Sequence, residues 1–313
     1  DLLKVGVGQN HLPAIGIMWV TAYGIFEIVE KALGKAFDQR IEELELNFNN
    51  FWTTFLMVLP FILTIAVLIT MIRTMLRYYD LRFLKTSEGF KVIGGLFNRR
   101  EQSAKMDKIQ LVNWSRNPIS RLFHLFDLGL KQASSNQVSM KQSIYVPGCY
   151  IDQVNQVLQA YYPEQEGRHF TEFQVDKALI VRQVFYLGIV PAAIVTALRV
   201  MAAGSIGFLF LLWIPLTYFS ARYYHQKWKF EIGRDALRLQ RGFFGTKSSL
   251  LKWYKVQNVR IKQSPYQQRK GLASVVFFTA GGAIQIPYID LALAHQIHDY
   301  ALYQVESSDL PWM

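Results

Sequence analysis

Between Phe51 and Ile72 the chain carries no charged side chain, and Leu, Ile, Val, Phe and Met dominate. An α-helix rises about 1.5 Å per residue, so roughly 20 apolar residues cross a hydrocarbon layer about 30 Å thick. No water is available there to satisfy the backbone, which leaves a helix as the form such a run takes. The run stops at Arg73 and ends in Arg77-Tyr78-Tyr79, a cation and two amphipathic rings suited to the headgroup layer. The alternative is a core helix of a soluble protein, and core helices rarely extend this far without a charge. The same arrangement recurs: Gly204 to Ser220 is uncharged and Arg222-Tyr223-Tyr224 follows it.

Two further segments complete a pair of hairpins. Leu12 to Ile28 is apolar apart from Glu27, and Pro13, Gly16 and Gly24 are residue types common in membrane helices. It lies at the lower length limit for a span, so a re-entrant or partly buried helix stays open as the alternative. Glu30 to Asn50 is acidic and repeats Leu33, Phe37, Ile41 and Leu44 at helical spacing, which predicts an amphipathic linker. Arg73, Arg77, Arg82 and Lys85 follow the next span, so the positive-inside rule puts the linker outside and the following domain in the cytoplasm. Ala178 to Leu198 is the third span, with Arg182 near its start placed to snorkel to the interface. Arg199 to Ser205 is too short for a folded domain, so Gly204 to Ser220 returns directly.

The polar blocks between read as β-structure. In the first, Phe90-Lys91-Val92-Ile93 leads to Gly94-Gly95, Ile109 to Trp114 alternates as a half-buried strand, and Leu128-Gly129-Leu130-Lys131 begins another. Val154, Val157, Leu158 and Tyr161 then fall at helical spacing behind an Asp152 cap. In the second, Ala236 to Leu239 leads into Arg241-Gly242, and Lys255 to Lys262 alternates. Val275 to Thr279 and Ala283 to Ile286 form a hairpin closed by Gly281-Gly282, and Asp290 caps the last helix.

The predicted domains are a hairpin over 1–76 (spans about 12–28 and 51–72, linker 30–50), a β-domain over 77–162 and a linker over 163–177. A second hairpin over 178–221 (spans 178–198 and 204–220), a second β-domain over 222–305 and a tail over 306–313 follow. The start at Asp1, without Met, reads as part of a longer protein.

A net charge of +11 calls for an anionic partner, and apolar spans beside the basic blocks favour a lipid surface over nucleic acid. The single cysteine, Cys149, excludes an internal disulfide and any Cys-based zinc cluster. His295 and His298 share a helix face, but no further ligand completes a metal site, and surface histidines are the alternative. No P-loop follows Gly281-Gly282, no nucleophile elbow occurs and no carboxylate pair stands out, so the chain is expected to be no enzyme and to need no cofactor.

The two polar blocks repeat. Phe90-Lys91-Val92 matches Leu237-Arg238-Leu239, and Lys108-Ile109-Gln110-Leu111-Val112 matches Lys255-Val256-Gln257-Asn258-Val259. Pro118 falls on Pro265, Ala133-Ser134 on Ala280-Gly281, and Tyr150-Ile151-Asp152 on Tyr288-Ile289-Asp290. The second copy carries Leu239-Gln240-Arg241-Gly242-Phe243-Phe244, Val256-Gln257-Asn258-Val259, the run from Ser264 to Ala273, and Thr279-Ala280-Gly281-Gly282. On these residues the chain resembles bacterial membrane proteins with pleckstrin-homology-like (PH-like) domains, the YdbS/YdbT type, as a fragment lacking an upstream PH-like repeat. The first copy departs from the pattern, with Arg121-Leu122-Phe123-His124 where the second has Gln268-Arg269-Lys270-Gly271. The resemblance implies an α+β membrane protein, each hairpin followed by a bent seven-strand sheet or partial barrel with a C-terminal helix. It also implies a non-enzymatic membrane role, in defence against membrane-active peptides.

The expected function is an integral scaffold in the bacterial cytoplasmic membrane, multi-pass, with cytoplasmic PH-like domains that bind anionic lipid, copies of the chain or a related PH-like membrane subunit. Lys252, Lys255, Arg260, Lys262, Arg269 and Lys270 cluster as candidate lipid or anion contacts, each cation near an anionic leaflet contributing about 1 kcal/mol. The alternative for that cluster is a surface basic only because topology demands it. Arg77, Tyr78, Tyr79, Arg222, Tyr223 and Tyr224 are the expected interface anchors. A lipid-handling or small-molecule transporter is the alternative function. It calls for polar groups inside the spans, where Glu27 and Arg182 are the charged residues to consider.

Overall fold

The computed structural model describes residues 4–5, 20, 51–133, 143–163, 170–243 and 245–310. The predicted span over 12–28, apart from residue 20, and the acidic linker over 30–50 lie outside the described residues. The chain divides into two units, 1–82 with 93–101 and 83–92 with 102–313.

In the first unit the apolar run forms one helix, α1 (Phe51–Arg77), of 27 residues. At about 1.5 Å per residue that is about 40 Å. Pro60 sits inside it and cannot donate to the carbonyl of Leu56. The Thr64 hydroxyl donates to the Pro60 carbonyl at 2.8 Å and Thr70 to that of Ala66 at 2.7 Å, so both hydroxyls are satisfied without water.

The first copy of the repeat supplies β1 (Arg82–Thr86), β2 (Gly89–Gly94) and β3 (Arg100–Lys105), one three-stranded sheet in that order. Then come β4 (Ile109–Arg116), the short helix α2 (Pro118–Leu122), β5 (Phe126–Gln132), β6 (Ser143–Cys149) and the helix α3 (Ile151–Tyr161). β7 (Thr171–Gln174) lies in the predicted linker and is a sheet strand.

A helical pair follows. The first arm is α4 (Ala178–Gln183), a π-helical stretch (Val184–Ile189) and α5 (Val190–Ala203). The second opens as 3-10 helix (Gly204–Leu212) and continues as α6 (Trp213–Gln226). The arms approach closely where Gly188 faces the Thr217 side chain, a position with no room for a Cβ. The Trp213 indole donates to the Leu187 carbonyl at 2.8 Å, filling a polar need that the widened π-helical turn creates. Among the described residues one helix, Ala178–Met201, is long and apolar enough to cross a membrane. The outward faces of the pair stay apolar, with Leu198 63%, Leu209 63% and Phe219 67% exposed.

The second copy contributes β8 (Lys229–Ile232), β9 (Ala236–Arg241), β10 (Thr246–Lys252), β11 (Val256–Lys262), the short helix α7 (Pro265–Arg269), β12 (Leu272–Thr279), β13 (Gly282–Asp290) and the helix α8 (Leu291–Glu306). β11, β12 and β13 form a three-stranded sheet with β12 in the middle. β12 is buried along nearly its whole length, as a central strand of mostly Val, Phe and Ala demands. Ala294, Ile297 and Ala301 of α8 close over it, and Trp253 packs edge-on against Phe277 (5.7 Å) and Tyr300 (5.8 Å).

The two copies are not separate modules. One seven-stranded sheet runs β6-β5-β4-β10-β9-β8-β7, three strands from each copy and β7 from between them. β4 and β10 pair antiparallel, from Thr246 opposite Arg116 to Leu251 opposite Leu111. The Ser249 hydroxyl donates to the Asn113 carboxamide oxygen at 2.7 Å across this junction. Leu111 belongs to the same core as Trp253 and Phe277, so the apolar interior is continuous too.

This corrects several expectations. β4 is not half-buried: Ile109 to Val112 are all buried, Gln110 included, because β4 lies between β5 and β10. Each copy holds six strands among the described residues rather than seven, and the first sheet of the second copy completes the second sheet of the first. Asp152 is not the cap of α3, since it lies inside the first turn and Tyr150 is the cap residue, its N–H donating to the Gln153 side chain at 3.0 Å. Asp290 does cap α8, accepting from the N–H groups of Ala292 (2.8 Å) and Leu293 (3.3 Å). Of the two turn glycines, Gly282 takes the positive φ (120°), whereas Gly281 serves a close approach: a Cβ there would lie 2.9 Å from that of Gln110 in the first copy.

Candidate functional site

The predicted cationic cluster divides in the structure. Lys255 is buried, its ammonium donating to the Asp107 carbonyl of the first copy, so it joins the copies and is withdrawn from any headgroup. Burial holds its pKa below the usual lysine value. Lys252 stands over the Tyr161 ring at 4.5 Å, again across the junction. Burial pushes the Tyr161 phenol well above its ordinary range, and it donates to the Gln110 carbonyl at 3.3 Å. Arg260 is exposed on β11 with its guanidinium 5.1 Å from the Phe278 ring, and Arg269 and Lys270 are exposed at the end of α7.

Lys262 lies instead on a cleft of about 1110 Å³ between the start of the helical pair and the second copy. Among the described residues its cationic groups are Arg182, Arg241 and Lys262, and no carboxylate lines it. Arg182, predicted to snorkel, is exposed, with its guanidinium 5.8 Å from the Tyr288 ring. On the helical wall Val181, Phe185 and Leu187 stand beside Arg182 and Gln183, while Tyr266 and Gln285 face it from the β-structure side. The cleft therefore combines apolar and cationic groups.

Its walls are firmly built. Ser264 caps α7, its hydroxyl accepting from the Gln267 N–H (3.3 Å) while the Gln267 carboxamide oxygen accepts from the Ser264 N–H (2.9 Å). The buried Gln267 amide donates to the Ser274 hydroxyl at 2.7 Å, fixing α7 on β12. The Gln263 amide donates to the Leu272 carbonyl at 2.8 Å. On the helical side Asp176 accepts from the Ala178 N–H at 2.7 Å, and its own N–H donates to the Tyr288 carbonyl at 2.7 Å. Behind it the buried His225 ties the two ends of the helical pair together, its Nε2–H donating to the Val175 carbonyl at 2.8 Å. The Ser264-to-Ala273 run that marks the second copy is thus chiefly a determinant of this wall.

The predicted interface anchors also separate. Arg77, Tyr79, Arg222 and Tyr223 are exposed, and Tyr78 lies under the Arg77 guanidinium at 5.6 Å. Tyr224 accepts from the Trp228 indole at 3.1 Å and lines the cleft, so it is a wall residue. His298 pairs with the neighbouring Asp299 at 2.9 Å, and among the described residues no cluster of metal-ligating side chains occurs. Arg241 was legible only as a turn residue, since its place on the cleft depends on the position of the helical pair.

Comparison with protein families gives two matches to the bacterial PH domain, over residues 38–165 and 183–305, each starting ahead of its β-strands. No curated protein and no solved structure matches the chain. The two matches together take in most of the sequence and reproduce the internal repeat, and the chain belongs to the bacterial PH domain family.

Proposed function

We propose that this is a multi-pass scaffold of the bacterial cytoplasmic membrane, of the YdbS/YdbT type, whose PH-like copies hold anionic lipid and assemble with one another. The observation that carries the lipid half is the cleft: among the described residues it has three cations and no carboxylate, beside apolar side chains of the helical pair such as Val181, Phe185 and Leu187 that are themselves exposed. A phospholipid has the matching chemistry, an anionic headgroup joined to hydrocarbon. Contiguous exposed apolar surface of this extent marks a membrane or partner contact. Arg182 stands at the cationic rim of this cleft, which favours lipid holding over a transport path through the spans. A contribution to defence against membrane-active peptides rests on the resemblance alone.

The test uses the whole chain in neutral detergent, followed by thermal unfolding with added phosphatidylglycerol or phosphatidylcholine. Phosphatidylglycerol is expected to raise the midpoint and phosphatidylcholine to leave it, with the difference shrinking in high salt. In Arg182→Ala/Lys262→Ala the lipid-dependent rise is lost. Equal shifts with both lipids, or an undiminished shift in the double variant, would reject lipid binding at this cleft.

A further inference from the structure

Among the edge strands of the described residues, β3 and β11 are the counterparts of the two strands, β10 and β4, that pair with each other inside the chain. β10 of the second copy pairs with β9 on one side and with β4 on the other. Its counterpart in the first copy, β3, pairs with β2 alone. β4 pairs with β5 and β10, whereas its counterpart β11 pairs with β12 alone. The interior junction is therefore a worked example of how the β4-type edge receives the β10-type edge, and each type has one edge left over.

The leftover edges keep the details that matter. β4 carries a bulge at Ile109/Leu111 against β5, and β11 carries one at the matching Val256/Asn258 against β12. The irregularity does not prevent β4 from receiving a strand, so it does not disqualify β11. Gln257, Asn258, Arg260 and Lys262 stand exposed along β11, where Ile109 to Val112 of β4 are covered. On β3 the Ala104 carbonyl faces Gly89 of β2, so that of Ser103 points the other way, and it accepts from the Gln132 amide at 3.0 Å. A side chain thus occupies the place of a neighbouring strand's N–H. Lys108, exposed, is the counterpart of Lys255, and the acceptor that Lys255 uses is a main-chain carbonyl, available whatever residue stands there.

We infer that β11 of one chain receives β3 of a second copy, in the register in which β4 receives β10. That register sets Gln102 opposite Arg260 and Ser103 opposite Val259, as Ser249 stands opposite Asn113 and Leu250 opposite Val112. The contact uses a different edge of each chain, so it is head-to-tail and repeats, closing as a ring or continuing as a filament. It specifies the assembly half of the function proposed above and rests on that reading. It does not depend on the lipid cleft.

Cysteine cross-linking in membranes of cells expressing the full chain tests it. Cys149 is buried and its thiol is pushed up to about 12, so the unmodified chain serves as an unreactive background. Gln102→Cys co-expressed with Arg260→Cys is expected to give an inter-chain disulfide on oxidation, whereas Gln102→Cys with Asn258→Cys, two positions away on the same face, gives little. Asn113→Cys/Ser249→Cys in one chain should close internally and reports the parent junction. Internal closure without the inter-chain product would overturn the proposal, as would Arg260→Cys linking mainly to itself, which signals pairing of like edges. Failure of the internal pair would remove the precedent and the proposal with it. The phosphatidylglycerol-dependent midpoint shift of Arg260→Cys should equal that of the parent chain, so the lipid reading stands or falls separately.

Discussion

Strands β4 and β11 hold the same place in their copies, carry the same bulge and lead into the same kind of short Pro-initiated helix, yet one is interior and the other is an edge. Their sequences had already diverged in the matching direction. Leu111 of β4 enters the shared core, while Asn258 at the corresponding place of β11 is exposed. Arg260 and Lys262 stand where β4 has Asn113 and Ser115. Charged side chains on an open edge discourage indiscriminate pairing while leaving the backbone able to accept a partner of the right register. The difference teaches that one fold can be finished by a neighbour or left receptive, with a few residues deciding which.

The widest separation between the two strands should appear when each loses a backbone donor. Ser248→Pro removes an N–H that β10 directs to β4 and is expected to cost about 3 kcal/mol or more in thermal or denaturant unfolding. Ile261→Pro removes its counterpart's partner on the open edge and should cost far less in dilute detergent. Equal losses would mean that β11 is not an edge. Next in size is Lys255→Met against Lys108→Met. Leaving the Asp107 carbonyl without its partner should cost about 1–3 kcal/mol, and the exposed Lys108 almost nothing.

The same pair differs with pH. Because the folded Lys255 holds its proton less tightly than the free side chain, the unfolded chain binds more protons between the lowered value and 10.5. Lys255 therefore adds a component of stability that rises with pH across that window, and Lys255→Met should flatten it. Smaller again is the junction hydrogen bond: Asn113→Ala and Ser249→Ala should each cost about 1 kcal/mol and couple in a double-mutant cycle, with Arg260→Ala neutral. The smallest contrast lies in the caps. Asp290→Ala should cost about 1 kcal/mol, and Asp152→Ala should stay within about 0.5 kcal/mol.

Elements with a strong local period were legible in the sequence: the helix through Phe51 to Arg77, the β12–β13 hairpin, the Asp290 cap and the repeat itself. What escaped was set at long range. β10 reads Lys247-Ser248-Ser249-Leu250-Leu251, which alternates poorly because its faces are decided by β4 and β9 rather than by solvent. β3 is polar along nearly its length, as an edge allows. Matching Tyr150 with Tyr288 misplaced the helix cap; the left-handed residues Gly148 (φ 73°) and Tyr288 (φ 50°) are the better correspondence, each standing shortly before its helix. Of the cleft, Lys262 could be named from sequence. Arg182 and Arg241 acquire their part only once the helical pair is set on the second copy.

β7 and β8 pair antiparallel, Thr171 opposite Ile232 and Gln174 opposite Lys229, and everything between them is the helical pair. The His225 ring joins the two feet of that excursion through the Val175 carbonyl, and the Asp176 N–H ties the first foot to Tyr288 of β13. Two short, bonded stems thus couple the pair to the sheet. In the membrane reading proposed above, a change in bilayer thickness or lateral pressure that tilts the pair is passed through these stems to the β-structure.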